Sequence, residues 1–279
     1  MKVLAGLEVT AKSVERTAEA IGADIGAGEQ REIRKAIQLD LPMIVGETIP
    51  ILYVQMDGTG VPMVKKETEG RKGKAEGQPP HTREVKLGCV FTQLETAEEF
   101  GKRLYLESWN RLAPRCKKKF VMGDGAEWIW NLADQHFPGA VQIVDLYHAR
   151  QHLWELARRL HPNDPANQQA WMKIHQKRLL DKGKIDKLAL LLRSTESSNA
   201  EVLKKIRTEA DYFERNPQRM QDPKFRRQHL FVGFGVIEAG CKTVIGSLLK
   251  QSGMFWTVRG AHSIIALRCC HLNGHFEDR

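Results

Sequence analysis

The sequence predicts an α/β protein with a helical lead-in and a long all-α block, and three observations carry that reading. Short apolar runs at Ile51 to Met56, Lys119 to Met122 and Ala140 to Val144 have strand length and β-prone composition. The last two flank a helical stretch, the strand, helix, strand spacing of a parallel unit whose strand C-terminal ends usually hold the site. From about residue 146 to 230 the pattern changes to charged, helical sequence.

The elements follow in chain order. Thr10 can cap a helix over Ser13 to Ile21, with Val14, Ala18 and Ile21 on one face, and Gly22 and Gly26 are expected to stop it. A second segment, Gln30 to Leu39, carries Ile33, Ala36 and Ile37 and ends before Pro42. Residues 1–45 are therefore a helical N-terminal segment, either a helix-turn-helix remnant or a plain lead-in. The strand at Ile51 to Met56 is followed by a glycine-rich basic connection, Lys65 to Arg83, and by a strand over Glu84 to Leu94. Thr96 caps a helix from Ala97 to Leu112, with Pro114 past its end. After the strand stopped by the glycines around Asp124, residues Ala126 to His136 form a helix, Pro138 and Gly139 turn the chain, and the third apolar run ends at Asp145. In the all-α block Trp154, Leu156, Leu160, Trp171, Leu188, Leu191 and Leu192 are the expected core. A last helix is expected over Val236 to Leu249, closed by Gly253.

At 279 residues the chain is long enough to bury a core without disulfides. Hydrophobic residues make up 42% and charged residues 28%, a soluble globular balance. No run approaches a membrane span, and the N-terminus lacks a signal peptide's apolar stretch, so a cytoplasmic protein is expected. The net charge of +9 suits a protein that meets polyanions. Cys89, Cys116, Cys241, Cys269 and Cys270 show no C-x-x-C spacing and read as reduced thiols. No phosphate-binding glycine motif for nucleotide hydrolysis is present.

Asp57 ends the first predicted strand, Asp124 ends a second, and Glu238 enters a helix between Ile237 and Ala239. Carboxylates in such places need partners, and sharing divalent cations is one way to keep several ionised together. The plainer reading stands beside it: Asp57-Gly58 and Asp124-Gly125 are turn signals, and Glu238 suits the first turn of a helix. His148 and His152 have the i, i+4 spacing of zinc ligands without a third in the local sequence. Trp128, Trp130, Trp154, Trp171 and Trp256 suit either core packing or stacking on a base. The basic hairpin Lys65 to Lys86 is either a solvated loop or an arm that follows phosphates.

Four ordered segments carry a resemblance. They are Tyr53-Val54-Gln55-Met56-Asp57-Gly58-Thr59-Gly60, Met122-Gly123-Asp124-Gly125-Ala126, Val144-Asp145-Leu146-Tyr147-His148-Ala149, and Ile237-Glu238-Ala239-Gly240-Cys241-Lys242-Thr243 continuing through Gly246-Ser247 to Ser252-Gly253-Met254-Phe255-Trp256. They resemble the catalytic domain of DDE transposases of bacterial insertion sequences, most closely the ISKra group, related to the Mutator-like transposases. The resemblance implies a ribonuclease H-like core over residues 46–150 and 233–279, with the all-α block of 151–232 as an insertion. It implies a metal-binding catalytic triad of Asp57, Asp124 and Glu238 with two Mg²⁺ ions, Mn²⁺ substituting. The activity it implies is cleavage of element ends and transfer of the 3′-OH into target DNA. The implied partners are the element's terminal repeats, target DNA and further copies of the chain. Asp145-x-x-His148 matches the C/D-x-x-H signature of the Mutator-like group, which implies a supporting role in which Asp145 orients His148; the alternative is an aspartate that caps the next helix. The chain departs from the family in lacking an upstream region with paired cysteines and in carrying Leu248 where a basic residue is expected. It is therefore expected to be a truncated copy, with a non-catalytic DNA-binding remnant or a nuclease that cuts without joining as the alternatives.

Overall fold

In this computed structural model the described residues are 3–4, 7–38, 49–71, 81–88, 91–93, 97–110, 116–233 and 240–276. They divide into two compact units, Met1–Lys117 with Gly235–Arg279, and Lys118–Phe234.

The first unit opens with a two-residue antiparallel pair, β1 (Val3–Leu4) and β2 (Leu7–Glu8), and a 27-residue helix, α1 (Ala11–Ile37). Thr10 caps α1 by accepting from the Ser13 amide, as its position predicts. The break expected at Gly22 and Gly26 does not occur. Gly22 serves a helix crossing instead, since a Cβ there would lie 1.9 Å from the Ser263 carbonyl oxygen. Tertiary packing at that crossing outweighs the roughly 1 kcal/mol that glycine costs a helix interior.

Strand β3 (Ile49–Pro62) is longer than the predicted run and passes through Asp57 and Gly58. It pairs antiparallel with β4 (Thr82–Gly88), placing Asp57 opposite Leu87 and Thr59 opposite Val85. Asp57-Gly58 is thus a ladder segment and not a turn, and Asp57 does not end its strand. The single strand expected over Glu84 to Leu94 is two, because β5 (Phe91–Gln93) folds back on β4 with Gly88 opposite Phe91. The reversal was hidden because Gly88-Cys89-Val90-Phe91 has no Asn-Gly or Asp-Gly signal. Helix α2 (Ala97–Asn110) packs Phe100 and Leu104 onto Gly88, where a Cβ would come within 2.6 Å of the Phe100 ring. The predicted Thr96 cap lies outside the described residues.

Side chains alternate across β3, so Asp57, Thr59, Val61 and Met63 share one face. Val61, Met63 and Val85 pack there with Val244, Ile245 and Leu249 in the unit's core. The first two of these last three belong to a π-helical stretch, Cys241–Gly246, which runs into the short helix α9 (Ser247–Leu249). Residues 236–239 of the helix expected there lie outside the described residues. The chain then returns to the end of β3, where the Trp256 amide donates to the Pro62 carbonyl. What reads as a tail in sequence contains α10 (Val258–Leu272), capped by Thr257. Its Ala261, Ile265 and Cys269 complete the core, and its Ala266 and Cys270 cover Ile25 of α1.

Strand β6 (Cys116–Gly123) leads into the second unit, followed by α3 (Glu127–His136) and β7 (Val141–Val144). β6 and β7 are parallel, with Gly123 opposite Val144, which bears out the strand, helix, strand prediction. The fold is therefore α/β with both antiparallel and parallel pairs, and mostly helical. The block after Asp145 comprises α4 (Leu146–Leu160), α5 (Pro165–Met172) with a π-helical continuation to Leu179, α6 (Ile185–Ser194), α7 (Ala200–Arg215) and α8 (Asp222–Arg227). Leu156, Leu188 and Leu192 are fully buried, as predicted. At about 1.5 to 3 kcal/mol per buried side chain such residues dominate the block's cohesion. Leu191 is not core but 37% exposed, because the buried stripe of α6 is Ile185, Leu188, Ala189 and Leu192 and residue 191 falls outside it.

Candidate functional site

Asp57 belongs to the first unit. Its Oδ1 accepts from the Gly58 amide at 2.7 Å, and the Cys241 thiol donates to Oδ2 at 3.3 Å. Position fixes this contact: Asp57 lies on the β3 face that the Cys241–Gly246 stretch covers. Gly240 meets Leu87 on the same face, and the Lys250 ammonium donates to the Thr59 hydroxyl. Glu238 lies outside the described residues; the first described residues after it, Gly240 and Cys241, are those that meet Leu87 and Asp57.

Asp124 belongs to the second unit and follows the last residue of β6. Its Oδ1 accepts from the Ala126 amide at 2.8 Å, an Asx turn, so the turn chemistry read from Asp124-Gly125 is realised here. Gly125 has φ +102°, and a Cβ on it would stand 2.4 Å from the Tyr212 ring. The Tyr212 hydroxyl donates to the Asp124 carbonyl at 2.9 Å. Burial, with the charges of Asp124, Glu209 and Asp145, raises the Tyr212 phenol well above its ordinary pKa, so it stays a donor.

Asp145 is buried directly after β7 and its Oδ1 accepts from the Tyr147 amide at 2.8 Å, which makes it the cap of α4. Its own amide donates to the Gly123 carbonyl. One turn into α4, His148 joins Asp124 in the wall of a pocket of about 510 Å³. Trp130, His152, Tyr212, Arg215 and Arg219 line the same pocket. Asp124 and His148, both singled out in the sequence, thus line one pocket, and Asp145 is the cap of α4.

The zinc-like spacing of His148 and His152 has another use. Their rings meet edge to face at 4.9 Å, and His152 stacks on Tyr212 at 4.2 Å with planes 13° apart. His152 Nδ1 lies 2.7 Å from Glu209 Oε2, and Lys205 pairs with the other oxygen. Glu209 is 1% exposed. Burial alone would raise its carboxyl pKa, but His152 and Lys205 prevail and hold it low, so it is a buried carboxylate. Sequence reading missed Glu209 and Tyr212, although a signal existed. Ile206, Glu209, Ala210 and Phe213 have i, i+3, i+4, i+7 spacing, which puts a glutamate on the apolar face of α7.

The tryptophans divide. Trp130 is buried under the Arg219 guanidinium, 4.7 Å from its ring centre, and Trp256 donates to the Leu249 carbonyl beside the first unit's core. Trp171 stacks on His175 at 3.6 Å. Among the described residues no three His, Cys, Asp or Glu side chains gather as a metal site, and no helix is long and apolar enough to cross a membrane. Comparison of the chain with protein-family models and with curated proteins returns no match.

Proposed function

We propose that the chain is a DNA transposase with a ribonuclease H-like core, cleaving the ends of its element and joining the freed 3′-OH to target DNA. The observation that carries this reading is the order of elements around the acids. After α1 come three antiparallel strands with Asp57 in the first of them, then a helix, then a strand that Asp124 directly follows, a helix and a parallel strand. The sequence segments around Asp57, Asp124, Asp145 and Glu238 give that order its chemical reading.

Asp57, Asp124 and Glu238 would hold two Mg²⁺ ions, with Mn²⁺ able to substitute. The donor chemistry fits, since carboxylate oxygens are hard ligands and the Gly58, Cys241 and Ala126 donors orient Asp57 and Asp124. Bound divalent ions supply nucleophile activation and charge stabilisation at phosphorus. That Cys241 touches Asp57 three positions after Glu238 supports grouping Glu238 with it. His148 and Arg215, which line one pocket with Asp124, would contact the strand being cut. Water attacks in the first step and the DNA 3′-OH in the second, with no covalent protein intermediate. Lys65, Lys66 and Arg71, all exposed, follow the phosphates of DNA, and the active form is an oligomer assembled on it.

The test is incubation of the purified chain with element-end DNA and Mg²⁺ or Mn²⁺. Joined products are the expected result. Nicks without joining assign a nuclease, and a mobility shift without cleavage assigns a DNA-binding remnant.

A further inference from the structure

A buried ion pair is poor evidence for stability, because desolvation offsets much of its attraction and an apolar pair of the same volume often serves as well. Lys205, Glu209 and His152 nevertheless sit on the helices of the second unit, with the Glu209 carboxylate sealed from solvent. What they hold is the ring of Tyr212, stacked on His152. The other face of the arrangement is the Asp124 turn. Tyr212 bonds the Asp124 carbonyl through its hydroxyl, and the turn lies so close that only a glycine fits at 125. The Asp124 carboxylate is in turn held by the Ala126 amide of that turn.

We infer that Tyr212 is a positioning residue for Asp124: the Glu209–His152 pair fixes the ring, and the ring and hydroxyl fix the turn that aims the carboxylate. The catalytic meaning of this arrangement rests on the transposase reading. Its consequence is that the all-α block is part of the catalytic apparatus, since α7 reaches from that block to the second catalytic acid.

Tyr212→Phe removes the one hydroxyl and keeps the ring, and Glu209→Gln loosens the support behind it. Four quantities are measured on the full chain: melting temperature, DNA affinity, cleavage rate at saturating DNA across a Mn²⁺ titration, and hydrogen exchange at the amides of residues 125–127. In Tyr212→Phe those amides exchange about tenfold faster, the saturating cleavage rate falls about tenfold, and half-maximal Mn²⁺ rises. Melting temperature and DNA affinity stay at wild-type values. Glu209→Gln moves exchange and rate in the same direction. Unchanged exchange in Tyr212→Phe overturns the inference, and so does faster exchange with cleavage at the wild-type rate. If the wild-type chain itself does not cleave, the transposase reading fails separately; exchange then decides whether Tyr212 holds the turn, faster exchange supporting it and unchanged exchange overturning it.

Discussion

Asp145 and His148 lie three residues apart and are expected to fail differently when replaced. The Asp145 side chain accepts from the Tyr147 amide at the start of α4, so Asp145→Ala should lower stability by about 1 kcal/mol in denaturant unfolding. His148 lies in the pocket wall with Asp124, so His148→Ala should cut cleavage about tenfold with the melting temperature unchanged. Wild-type cleavage by His148→Ala across pH 6 to 9 would leave the histidine without a role in the reaction. A third acid, Asp222, is buried in α8, and burial first, with Asp181 adding to it against Arg226 and Arg150, pushes its pKa up to about 7. Because the folded value is raised, native Asp222 keeps a proton that the unfolded chain releases near pH 4. Stability should therefore fall as pH rises from about 4 to 7 and level off above, and Asp222→Asn should flatten that slope in unfolding measured at intervals across the window. At this scale Asp124 and His148 were legible together, because Asp145 marks a strand end and His148 follows one turn later. Asp57 was misplaced within its strand because Asp-Gly is locally a turn signal, and only the pairing with Leu87 and Lys86 overrides it. The apolar face of α7 marks Glu209 in sequence, but His152, which it meets, and the Asp124 carbonyl that Tyr212 meets lie 57 and 88 residues away.

Two glycines of α1 separate what a helix wants from what its packing wants. A Cβ at Gly26 meets nothing within 4 Å, so Gly26→Ala should stabilise the chain by up to about 1 kcal/mol through helix propensity. At Gly22 the Ser263 backbone stands in the way, so Gly22→Ala should destabilise by about 1 to 3 kcal/mol as α1 is forced off α10. Thermal unfolding of the two variants side by side checks the opposite signs. The same pair explains why α1 was read as two helices. Glycine spacing is equally a stop signal and a close-approach signal, and the choice depends on an element about 240 residues later in the chain. β6, α3 and β7 were legible because alternation of strand and helix periods is local. The β4–β5 hairpin and α10 were not, the first for want of a turn motif and the second because Thr257 caps a helix whose apolar side is shared between two packing partners.

On the proposed function, the net charge of +9 and the basic connection after β3 make DNA binding an electrostatic matter. Affinity should fall about a thousandfold between 50 and 200 mM salt if six or more phosphates are contacted, and a flat response in a filter-binding titration would contradict that. Charge of this kind is legible in sequence because it needs no fold. In the proposed function Asp57 and Asp124 serve strand joining, which is measured by offering the chain a pre-cleaved element end, with Mg²⁺ and target DNA, and scoring joined product. An end carrying a 3′-OH should be joined, whereas a 3′-deoxy end, or the same 3′-OH end given to Asp57→Asn or Asp124→Asn, should yield less than about one hundredth as much. Joining by either variant at a rate near wild type, or no joining of the 3′-OH end with Mg²⁺ or Mn²⁺, would contradict it.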